Sequence, residues 1–244
     1  MPFSFLCKMI KHFLSLFIAL VLTAIVFAQP NTYLCLQPQE EVVIDGELTD
    51  WEQVQWTDDF VDITGNDSLS PYLRTRAAMM WDSNYLYVAA TMEDPHLWAT
   101  ITERDAVIYK DNDFEIFIDP DGDTHNYAEI EVNAFGTVWD LFLTRPYRDG
   151  TVPLTSYNID GLKCAIGLNG TINNPSDIDT AWTVEMAIPW KSLSELTYVR
   201  RKPYAGEYWR INFSRVHWDL EVFDSEYVKK ITPEYNWVWS PQGR

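Results

Sequence analysis

Beyond Gln37 the sequence is cut every few residues by Asp, Asn, Gly or Pro, and between the cuts stand short runs of β-branched and aromatic residues without sustained helical periodicity. A chain built this way buries its apolar surface through many short strands, which predicts an all-β fold: an antiparallel two-sheet β-sandwich, jelly-roll-like, with one short helix. Val42-Val43-Ile44 runs into an Asp45-Gly46-Glu47 turn. Thr75 to Met80, Asp82-Ser83-Asn84 and Tyr85 to Met92 read as a hairpin. Side chains alternate along a strand, so Phe114, Ile116 and Ile118 share one face while Glu115, Phe117 and Asp119 share the other. In the next strand Ile130 and Val132 oppose Glu129, Glu131 and Asn133. Later, Trp182, Val184, Met186 and Ile188 alternate with Thr183, Glu185 and Ala187, and Trp209, Ile211 and Phe213 alternate with Arg210, Asn212 and Ser214. A last strand holds Trp237-Val238-Trp239, and the one helical stretch is Pro189 to Leu196.

The N-terminus differs from all of this. Lys8, Lys11 and His12 precede an apolar run from Phe13 to Phe27, then Ala28 and Gln29-Pro30, the layout of a signal peptide cleaved after Ala28. The run is shorter than a membrane-spanning helix requires, so no stable membrane anchor is expected and the predicted location is secreted or periplasmic. Removing residues 1–28 takes two of the 18 basic residues and none of the 36 acidic ones, leaving a net charge near −20. That charge excludes nucleic acid and anionic membrane surfaces as partners. Residues 29–244 are enough for one large all-β domain. Within them Cys35 and Cys164 are free to pair or not, since export permits a disulfide and spacing does not prove one.

Three motifs carry possible chemistry. In Asp119-Pro120-Asp121-Gly122-Asp123, carboxylates alternate around a glycine, as in loops that bind calcium through oxygen ligands, and Asp119, Asp121 and Asp123 are the metal ligands it suggests. It is not an EF-hand, because the twelfth position from Asp119 is Ile130 and the flanks read as strands. A simple turn between two strands is the alternative. Asp113, Glu115, Glu129 and Glu131 could supply a glycosidase pair, which needs two carboxyls about 5 to 9 Å apart, although on so acidic a chain such a face is more often solvated. His96, His125 and His217 are scattered, and no nucleophile elbow, zinc-binding helix or phosphate loop is present, so no catalytic residue is assigned.

Four blocks in order, Val43 to Trp51, Trp81 to Val88, Asp113 to Asp119 and Val184 to Trp190, resemble family 9 carbohydrate-binding modules, and the resemblance covers most of the chain from Val42 to Trp239. It implies a calcium-bearing sandwich whose sugar ligand is clamped between two aromatics while polar side chains bond the hydroxyls. Carried over position by position, the first clamp aromatic falls on Tyr109 and the family's site glutamate on Glu115. The family's Arg-x-Asn becomes Glu131-Val132-Asn133, which keeps the amide and reverses the charge. The family's second clamp lies beyond the strand matching Trp237-Val238-Trp239, so either Trp237 substitutes for it or half the clamp and one edge strand are absent from a truncated sequence. The implied ligand-binding set is Tyr109, Glu115, Glu131, Asn133 and Trp237, the implied partner a carbohydrate and the implied role non-catalytic. An accessory or catalytic domain of a glycoside hydrolase and a ligand-free interaction domain are the competing readings.

Overall fold

The computed structural model describes residues 31–65, 72–198 and 201–241. Twelve strands are present among them: β1 (Val61–Asp62), β2 (Thr75–Trp81), β3 (Tyr85–Glu93), β4 (Asp113–Asp119), β5 (Tyr127–Asn133), β6 (Val138–Leu143), β7 (Lys163–Asn169), β8 (Ala181–Pro189), β9 (Arg210–His217), β10 (Leu220–Phe223), β11 (Glu226–Lys229) and β12 (Tyr235–Val238). They form a six-stranded sheet in the order β1-β12-β9-β4-β5-β6, a four-stranded sheet β2-β3-β8-β7 and a separate hairpin β10-β11. Every ladder is antiparallel. The signal peptide predicted for residues 1–28 lies outside the described residues, within which no helix is long and apolar enough to cross a membrane.

The two large sheets close on one core, and strand alternation sets its membership. Phe114, Ile116 and Ile118 from β4 and Ala128, Ile130 and Val132 from β5 meet Val88, Ala90 and Met92 from β3 and Trp182, Val184, Met186 and Ile188 from β8. All are at most 1% exposed. Burying each larger side chain stabilises the fold by roughly 1.5–3 kcal/mol. The β2–β3 hairpin forms where its Asp-Ser-Asn turn predicts, with the Asp82 carboxylate accepting the Asn84 and Tyr85 amides at 2.6 and 2.8 Å. The helix α1 (Trp190–Leu193) is shorter than the sequence suggests, its continuation Ser194–Leu196 tightening into a 3₁₀ turn.

Outside the four-stranded sheet, the segment before β1 folds over the strands and seats Trp51 in a second apolar cluster with Ala78, Met80, Tyr87, Ala89 and Ala187. It is clasped there by Glu185. The Glu185 carboxylate accepts Trp51 Nε1–H at 2.6 Å, the Gly46 amide at 2.7 Å and the Asp45 amide at 3.1 Å. Gly46 has a φ of +90°, and a Cβ there would stand 2.6 Å from the backbone of Ile166, so only glycine allows this approach.

Candidate functional site

The site is built on the face of the six-stranded sheet that points away from the core. Asp113 and Glu115 of β4 reach this face, as do Glu129, Glu131 and Asn133 of β5. Glu115 stands opposite Glu131 on one side and opposite Ser214 of β9 on the other. The acidic face expected to be solvated is in fact buried: Asp113 is 0%, Glu131 2%, Glu129 3% and Glu115 7% exposed. The cover comes from two loops. In the turn Ile108–Lys110, Ile108 packs with Tyr127, Trp139, Leu141 and Leu143 of β5 and β6. That anchor brings the Tyr109 amide over Glu131 Oε2, to which it donates at 2.9 Å. In the turn Tyr147–Asp149, the Tyr147 hydroxyl donates to Glu129 Oε2 at 2.6 Å. Both tyrosine rings remain substantially exposed, 42% for Tyr109 and 48% for Tyr147.

Tyr109 has further support from the end of β9. Trp218 Nε1–H donates to the Tyr109 carbonyl at 2.8 Å, and the Trp218 amide donates to the Asn112 side chain at 2.7 Å. Lys229 of β11 lies over the Trp218 ring, 3.8 Å from its centroid, and donates to the Lys110 carbonyl at 2.7 Å. The β10–β11 hairpin that delivers Lys229 turns at Asp224-Ser225, both at positive φ, the geometry of a two-residue hairpin turn.

Four carboxylates in so little water cannot all ionise easily. Burial, with the Glu115 and Glu131 charges behind it, holds Asp113 well above the carboxylate range. Burial pushes Glu115 up to about 7, against a hydrogen bond from Ser214. Burial and the neighbouring Glu115 charge take Glu129 up to about 8, and burial with Glu115 and Glu129 takes Glu131 up to about 10. None of the four joins an ion pair among the described residues.

Tyr109, Glu115 and Glu131 are thus brought together, and two other expected ligand residues are not available. Asn133 is fully buried with both ends of its amide committed: Nδ2 donates to the Ile101 carbonyl and Asp111, and Oδ1 accepts the Phe135 and Thr137 amides. It fastens the loops around the site. Trp237 sits on the opposite, core-facing side of β12, 1% exposed, stacked on His217 at 5.4 Å and beneath Arg215 at 5.1 Å. It cannot substitute for a clamp aromatic, because register with Arg215 turns it inward. Sequence reasoning missed Tyr147, Trp218 and Lys229. For Trp218 a signal existed, since Arg210, Asn212 and Ser214 set a parity that continues outward through position 218.

The Asp119–Asp123 loop brings one oxygen from each of Asp119, Asp121 and Asp123 within 4.8 Å of the others. The same carboxylates also shape the turn: Asp119 accepts the Gly122 and Thr124 amides at 2.9 and 2.8 Å, and Asp123 accepts the His125 amide at 2.7 Å. Cys35 and Cys164 are both free thiols, burial pushing each up to about 12. A cleft of about 520 Å³ between the β2–β3 turn and α1, lined by Asn84, Tyr85, Trp190 and Lys202 among others, belongs to the other sheet and holds no carboxylate.

A two-sheet antiparallel sandwich that shows two tethered tyrosines above buried acids belongs to the class of β-sandwich recognition domains. The chain is a member of the carbohydrate family 9 binding domain-like family, whose model matches residues 44–206. It is similar to the exoglucanase XynX of Acetivibrio thermocellus, 26% identical over 202 residues, and to endo-1,4-β-xylanase A of Thermoanaerobacterium saccharolyticum, 27% identical over 153 residues. Those alignments take in 82% and 62% of this chain but only 15% and 11% of the two enzymes. In fold it resembles a Bacteroides uniformis protein provisionally described as carbohydrate-binding, with a TM-score of 0.60 and 13% identity over 88% of this chain and 92% of that one.

Proposed function

We propose that this chain is an exported, non-catalytic carbohydrate-binding module that presents Tyr109 and Tyr147 to a sugar ring. The observation that carries the reading is the pair of half-exposed tyrosines tethered to Glu131 and Glu129, two residues apart on one strand. The Tyr147 bond holds that ring by its hydroxyl, the Tyr109 bond holds the backbone that carries the other ring, and pyranose C–H faces pack against such aromatic planes. Glu115 lies beneath, and Trp218 with Lys229 backs Tyr109. Export rests on the signal-peptide layout of residues 1–28.

Elevated carboxyls such as Glu115 are also what a glycosidase acid requires. The packing opposes that role. Asp113, Glu115 and Glu131 are 7% exposed or less, and Glu129 is 3% exposed beneath the Tyr147 hydroxyl, so the covering loops close these acids off from a glycosidic bond. Calcium, implied by the family resemblance, fits the Asp119–Asp123 loop, whose donors are hard oxygens spaced as calcium ligands are. Asp119, Asp121 and Asp123 would hold the ion and it would brace the β4–β5 connection.

Isothermal titration of the purified chain with glucose, cellobiose, xylose and xylan fragments, assayed in parallel for new reducing ends, tests the proposal. Saturable heat without hydrolysis is expected, lost in Tyr109→Ala and weakened in Tyr147→Ala. Hydrolysis abolished by Glu115→Gln would replace the binding reading with an enzymatic one, and no saturable heat would remove it.

A further inference from the structure

We infer that Asp113, Glu115 and Glu131 form a second divalent-cation site, of calcium type, inside the sheet face beneath Tyr109. Two observations carry this independently of the sugar reading. The first is the donor set: one carboxylate oxygen from each residue lies within 4.8 Å of the other two, with the residues 0%, 7% and 2% exposed. Calcium–oxygen distances of about 2.3–2.6 Å place opposed ligands about 5 Å apart, so an ion seated among these oxygens touches all three. The donors are all oxygen, which selects a hard cation over zinc or copper.

The second observation is a polar atom with nothing to bond. Asp113 is fully buried, its Oδ1 accepts the Val216 amide at 3.1 Å, and its Oδ2 has no hydrogen-bond partner. A buried acceptor left unpaired loses its hydration with nothing in return, and loses more when charged. The remaining protein donors here are few and already placed: the Tyr109 amide on Glu131 Oε2, Ser214 on Glu115 and the Tyr147 hydroxyl on Glu129. The buried Arg215 guanidinium acts on Asp113 only through space, its ion pair being with Asp94, and a divalent ion supplies the further positive charge while occupying Asp113 Oδ2. Since Glu131 holds the Tyr109 amide, a filled site fixes the base of the exposed ring.

The test separates this site from the Asp119–Asp123 loop. The full chain is stripped with EGTA and titrated with calcium chloride, with magnesium and manganese chlorides as comparators, and melting temperature is followed alongside. Asp113→Asn is expected to lower the calcium stoichiometry by one, and in the Asp121→Asn/Asp123→Asn background to remove the remaining saturable heat and the calcium-induced rise in melting temperature. In EGTA, Asp113→Asn should melt no lower than the parent, because a neutral amide removes like-charge repulsion and still accepts the Val216 amide. Glu131→Gln repeats the measurement should Asp113→Asn fail to fold. A stoichiometry that both substitutions leave unchanged overturns the assignment, as does calcium binding wholly lost in Asp121→Asn/Asp123→Asn.

Discussion

Glu185 on β8 and Glu131 on β5 are both mid-strand glutamates on the face of their sheet that points away from the shared core, and both are shut off from water, at 0% and 2% exposure. Glu185 has three donors aimed at it and one acid nearby, Asp45. Glu131 has one backbone donor and three acidic neighbours. A carboxylate surrounded by donors organises structure: it is the knot that holds the segment carrying Trp51. Acids gathered with too few donors do the opposite, storing unfavourable charge that only protons or a cation relieve. The difference separates a fastening from a site, although both would read in sequence as one glutamate inside an apolar strand.

The largest effect is expected on the fastened side. Trp51→Ala empties a fully buried indole position and strips Glu185 of its shortest bond, so urea denaturation should show a loss of about 4 kcal/mol or more. Next, isosteric neutralisation should act with opposite sign in the two places. Glu185→Gln turns an NH₂ toward existing donors and should cost about 2 kcal/mol, whereas Glu131→Gln measured in EGTA should gain on the order of 1 kcal/mol, one pKa unit's worth. Equal signs would break the comparison.

A pH slope is expected as well. Unfolded glutamates titrate near 4.5, while burial places the folded values of Glu115, Glu129 and Glu131 at about 7, 8 and 10. The folded state therefore binds more protons through that window, and stability in EGTA should fall as pH rises from 5 to 8. Urea midpoints across this range should flatten in Glu129→Gln; an unchanged slope would mean that other groups set it.

Most of the fold was legible because alternation alone divides β4, β5 and β8 into core and outer faces, and turn residues such as Asp82 mark the corners. The blocks that carry the resemblance turn out to be largely scaffold: Asp45-Gly46 and Trp51 from the first meet Glu185 from the fourth, and the Trp190 indole N–H bonds the Asp82 carbonyl at 2.9 Å. The site was harder to read. Parity identified the face on which Glu115, Glu131 and Asn133 stand, but not that the loops of Tyr109 and Tyr147 would close over it, since loop cover depends on anchors such as Ile108 that look like any apolar residue. Trp237 failed for a related reason. A four-residue strand flanked by aromatics offers two registers, and the burial of Arg215 against Asp94, at 2.9 Å, selects the one that turns the indole inward.

The Glu185 clasp also bears on the order in which the chain can become native. Its three donors lie 134 to 140 residues upstream of the carboxylate they bind. On a ribosome, Trp51 emerges long before β8 exists, and its socket cannot close until nearly the whole domain has been made. Such distant pairing delays folding, because the entropy of a long loop must be lost before the contact returns anything. Until then Trp51 and its apolar neighbours stay uncovered, a window in which chaperones or a secretion machinery that handles unfolded chains can hold the polypeptide.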